Sequence, residues 1–137
     1  DPLWSRGLGD VYKRQSYKQL TKDVTANLAP LHKGVPQVMK GFGDIGKAAI
    51  ADGALDAKTK ELIALAVGVA ARCDGCIAFH TKALVKLGAT EAEVHETLGV
   101  AIYMGGGPSA MYASNAVAAF NEFSALAHNA VAPASAR

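Results

Sequence analysis

From Tyr17 onward, apolar positions recur at helical spacing. Leu20, Val24, Leu28 and Leu31 are separated by four, four and three residues, which predicts a helix from Tyr17 to about Leu31. Pro30 and Pro36 bracket an expected break near Gly34. Pro36 suits the start of a second helix, which carries Val38, Met39, Phe42, Ile45 and Ile50 and is expected to end near Gly53. Asp56 is the expected N-cap of a third helix. That helix is polar in its first turns and then apolar on every side, from Leu62 to Ala71. A helix of this kind is buried all round. In so short a chain, that predicts help from other subunits.

A fourth helix is expected from about Asp74 to Lys86, with Gly88 closing it. Thr90 and Glu93 have the capping-box spacing and open a fifth, which reaches Tyr103 and Met104. Gly105-Gly106-Gly107-Pro108 forms a permissive turn. A last helix follows from about Ser109 to Asn129. No strand pattern appears and the connections after Gly53 are short, so the reading is an all-α fold of antiparallel neighbours.

Residues 1–16 show neither helical period nor strand alternation. They resemble translated adapter or vector sequence, and equally suit an ordinary flexible arm. The expected organisation is therefore a leader over 1–16, one domain over 17–129 and a flexible tail over 130–137. With 137 residues, half of them hydrophobic, the chain can build one core and is not a disordered tail.

The net charge of +2 comes from scattered basic residues, which argues against a nucleic-acid partner. The longest apolar runs are about ten residues, against the roughly twenty that a membrane span requires, so no membrane partner is expected. No signal-peptide pattern is visible, and a cytoplasmic location is the default expectation.

The two cysteines, Cys73 and Cys76, lie three positions apart at the predicted start of a helix. They cannot complete a structural zinc site alone, and His80 and His95 do not restore the usual ligand spacing, so neither metal nor cofactor is expected. The economical reading is a reversible dithiol/disulfide couple. Free amides and the helix dipole favour a thiolate at such a position. His80 lies one turn beyond Cys76 on the same face and could move a proton or stabilise a thiolate.

Glu61 is the last charged residue before the apolar stretch and could orient His80 or relay protons. Twelve helical residues separate it from Cys73, about 18 Å, so it reaches the site only if the helices bend or cross suitably. His32, His95 and His128 are assigned no role. Tyr103, Met104, Met111 and Tyr112, around the glycine turn, are read as core or subunit-interface residues.

Glu61, then Cys73-Asp74-Gly75-Cys76, then His80, resembles the alkylhydroperoxidase AhpD-like group of the carboxymuconolactone decarboxylase superfamily. The run Tyr103-Met104-Gly105-Gly106-Gly107-Pro108 is also similar, and the resemblance spans roughly Leu31 to Phe123. It implies an AhpD-like helical fold assembling as a trimer or hexamer, and a thiol-dependent peroxidase that reduces hydroperoxides. Cys76 would attack the peroxide, Cys73 would resolve the sulfenic acid, and Glu61 with His80 would form the proton relay. An external dithiol, lipoyl or thioredoxin-like, would close the cycle. The local rule instead favours the first cysteine of such a pair as nucleophile.

The best-characterised members carry a relay histidine where this chain has Gly75. That departure motivates an alternative, a disulfide reductase or redox-sensing module with little peroxidase activity. A non-enzymatic oligomeric interaction protein and a cysteine-independent lyase are further alternatives.

Overall fold

The computed structural model describes residues 16–131. They form six helices: α1 (Tyr17–Gly34), α2 (Pro36–Ile50), α3 (Ala57–Ala70), α4 (Asp74–Lys86), α5 (Glu91–Gly105) and α6 (Gly107–Val131). Of the expected leader, only Ser16 falls within the described residues. It caps α1, its side chain accepting from the Gln19 amide at 3.0 Å. Of the expected tail, Ala130 and Val131 still belong to α6, and the rest lies outside the described residues.

The predicted caps set the helix starts. Asp56 accepts from the Thr59 amide at 2.8 Å and Asp52 from the Ala57 amide at 2.7 Å, so two carboxylates serve the α3 N-terminus. Thr90 and Glu93 form the reciprocal capping box of α5. Glu93 also pairs with Lys58 of α3, and that hydrogen bond holds its carboxyl below the ordinary glutamate value.

Pro30 lies inside α1, within the helix expected there. Proline deletes one hydrogen bond, to the carbonyl of Ala26, and both residues are exposed, so water can serve the freed oxygen. The expected break near Gly34 comes at Val35 (φ −133°, ψ 63°), because a residue preceding proline is pushed out of the helical region.

The core lies among α3, α4, α5 and α6. Leu65 and Val69 meet Ile77, Ala78 and Leu84, with Val94, Leu98, Phe120 and Phe123 closing the remaining sides. Ala113, Ala116 and Ala119 form a small-residue face on α6 and are buried, which lets α6 lie close to α4 and α5. α1 lies across α4 and is tied at its start to α6, where the Glu122 carboxylate accepts the amides of Tyr17 and Lys18 at 2.9 and 2.8 Å.

A single chain does not complete the burial predicted for α3. Ile63 and Val67 are 49% and 62% exposed, and with Leu62, Ala66 and Val100 they line an open apolar groove between α3 and α5. Tyr103, Met104 and Met111 are likewise on the surface and not in the core. α2 buries none of its residues. No described helix is long and apolar enough to cross a membrane.

Candidate active site

The site is built on the α3–α4 hairpin. α3 ends in a Schellman motif, with the Cys73 amide donating to Gly68 O at 3.0 Å and the Arg72 amide to Val69 O at 3.1 Å. Arg72 occupies the left-handed position of that motif, φ 57°, where glycine is usual. Cys73 then serves immediately as N-cap of α4, its Sγ accepting from the Cys76 amide at 3.1 Å. One residue thus ends one helix and starts the next.

Cys73 and Cys76 are joined as a disulfide, with their Cα atoms 5.2 Å apart. Both are partly buried. Val24 of α1 lies over Gly75, its Cγ2 3.9 Å from where a β-carbon of residue 75 would be. A histidine at that position would therefore meet α1.

Glu61 and His80 come into direct contact, His80 Nδ1 lying 2.5 Å from Glu61 Oε2. The chain reversal brings Glu61 to His80, one turn beyond Cys76, and not to the cysteines themselves. α4 runs back along α3, so that Gly68 faces Cys76 and the earlier Glu61 faces the later His80. Glu61 is buried and His80 is about one-third exposed. A carboxylate on Nδ1 fixes the imidazole in the tautomer whose Nε2 can accept a proton, and stabilises the imidazolium once it has done so.

The two pairs are linked through α4. Cys76 and His80 stand four residues apart, on one helical face. Glu61 contacts His80 and neither sulfur. Among the described residues no three His, Cys, Asp or Glu side chains converge as a metal site. His95 pairs only loosely with Glu91, one turn away on the surface at 3.6 Å.

Sequence reasoning missed two residues here. Gly68 packs against Cys76, and its signal was available: a lone glycine inside a helix otherwise rich in alanine. Arg72 gave no signal, because arginine is not a residue expected at positive φ.

Comparison with known proteins bears on the fold. The model of the carboxymuconolactone decarboxylase family matches residues 36–119. The crystal structure of a protein of that family from Legionella pneumophila, in its apo form, is 57% identical and superposes with a TM-score of 0.77 over 79% of this chain and 96% of its own. A Thermotoga maritima family protein, described as a candidate for involvement in the antioxidative response, is 33% identical with a TM-score of 0.64 over 68% of this chain and 96% of its own. An uncharacterized Cupriavidus necator protein is 42% identical over 103 residues, covering 75% of this chain and 91% of its own length.

Proposed function

The chain belongs to the carboxymuconolactone decarboxylase family, and from that premise we propose that its redox-active cysteine pair makes it a thiol-dependent peroxidase of the AhpD-like kind. The observation that carries this reading is the Glu61–His80 contact, which gives the pair a buried carboxylate–imidazole relay one helical turn from Cys76.

In the reduced enzyme, His80 takes the Cys76 thiol proton, with Glu61 stabilising the imidazolium. The thiolate attacks the terminal oxygen of a hydroperoxide, the O–O bond breaks, and the alcohol leaves with a proton from His80. Cys76 is now a sulfenic acid. The Cys73 thiolate displaces its hydroxyl, which leaves as water with a proton from solvent, and the disulfide of the present structure forms. An external dithiol, lipoyl or thioredoxin-like, reduces it by two exchanges and is itself oxidised to a disulfide.

The apolar surfaces on α2 and between α3 and α5 support assembly into a trimer or hexamer. One observation favours the second reading, a disulfide reductase. The Cys76 amide donates to the Cys73 sulfur, which favours Cys73 as the thiolate that attacks a disulfide substrate. In either reading Cys73 meets the external dithiol.

The test is hydroperoxide-dependent oxidation of a dithiol donor by wild type and Cys76→Ser. Loss of turnover in the variant is expected, and an unchanged rate overturns the assignment. Faster turnover of a disulfide substrate than of hydroperoxide by wild type would select the second reading.

A further inference from the structure

Gly68 touches both halves of the cysteine pair. Its carbonyl accepts the Cys73 amide at 3.0 Å. A β-carbon on it would lie 3.0 Å from Cys76 Cβ and 3.9 Å from the Cys76 carbonyl carbon, tighter than ordinary van der Waals contact at the first of these. Helix propensity gives no reason for a glycine here. In a helix interior glycine costs about 1 kcal/mol relative to alanine, and the surrounding stretch uses Ala64, Ala66, Ala70 and Ala71. Gly99 of α5 is the contrast, since a β-carbon there would meet nothing within 4 Å.

We propose that Gly68 is a positioning residue for the dithiol, setting the approach of Cys76 to Cys73 and thereby the equilibrium between disulfide and dithiol. This rests on the redox reading of the pair, whichever substrate it serves. In the oxidised state the contacts form a closed circuit. Gly68 holds the Cys73 amide, Cys73 is bonded through sulfur to Cys76, and Cys76 packs back on Gly68. A methyl group at residue 68 must push Cys76 outward by a few tenths of an ångström, against that circuit. Reduction, which adds two electrons and two protons, opens the circuit at the S–S bond and lets Cys76 retreat. The methyl therefore disfavours the disulfide more than the dithiol.

The experiment equilibrates full-length wild type, Gly68→Ala and Gly99→Ala in glutathione redox buffers and counts free thiols by alkylation and mass. Gly68→Ala is expected to shift the equilibrium about tenfold toward the dithiol, about 30 mV for a two-electron couple. Gly99→Ala should leave it unchanged. A Gly68→Ala equilibrium within twofold of wild type overturns the proposal. So does a Gly68→Ala chain that fails to fold even with the pair reduced, which would assign Gly68 to helix packing alone. A chain that folds only when reduced supports it. Hydroperoxide turnover of the same wild-type preparation separates the two ideas: a tenfold shift without turnover leaves Gly68 in its role and removes the peroxidase reading.

Discussion

The α3–α4 hairpin and α2 are both helical, both amphipathic in part, and adjacent in the chain, yet they stand at opposite extremes of satisfaction. In the hairpin, Leu65, Val69, Ile77 and Leu84 are fully or almost fully buried, the buried carboxylate has its imidazole, and the two sulfurs are joined. In α2, Val38, Phe42 and Ile45 project from one side of the helix and remain largely exposed, Phe42 at 71%. Among the described helices, α2 touches only α1 and α3. The difference teaches that an apolar stripe states a demand for burial without saying who meets it. The hairpin's inner face meets its own demand and holds the cysteine pair, while Ile63 and Val67 on its outer face share the exposure of α2. α2 looks outward.

The largest test of this contrast is on the hairpin's polar pair. His80→Gln removes the proton acceptor while keeping a similar volume, and peroxide turnover should fall about 100-fold or more. A smaller loss would mean that the Glu61–His80 contact serves packing. Next come matched truncations. Leu65→Ala should destabilise the chain by about 2–5 kcal/mol in denaturant unfolding. Phe42→Ala should change the stability of a single chain by less than about 0.5 kcal/mol but shift sedimentation toward smaller species. Equal effects on unfolding would erase the distinction between the regions.

The smallest effect sharpens the comparison within the hairpin itself. Arg72→Gly relieves a left-handed residue and should raise stability by about 1 kcal/mol. Unchanged or lower stability would show that the arginine side chain offsets its backbone cost.

What could be read beforehand follows the range of the forces involved. Asp56 and Thr90 were legible because a cap is a matter of three or four consecutive residues. The all-helical class was legible for the same reason, since periodicity is local. The break before Pro36 was legible too, because a proline constrains the residue next to it. Cys73, Cys76 and His80 sit on one helix start and were visible as a group. Their connection to Glu61 was legible through the family resemblance and not from spacing, because it depends on how two helices cross after a three-residue turn. The exposure of Tyr103, Met104 and Met111 was illegible for a related reason: one chain's hydrophobicity does not separate a core from an exposed surface.

Because Cys73 both terminates α3 and initiates α4, the hairpin has no spare length. A single inserted residue between Ala71 and Cys73 would break the bond from the Cys73 amide to Gly68 O and displace α4 relative to α3. His80 would swing off Glu61 and Cys76 off Gly68 in the same stroke. Chain length at this turn is therefore as much a part of the site as any side chain, and insertions or deletions here should be tolerated far less than those in the 51–56 connection.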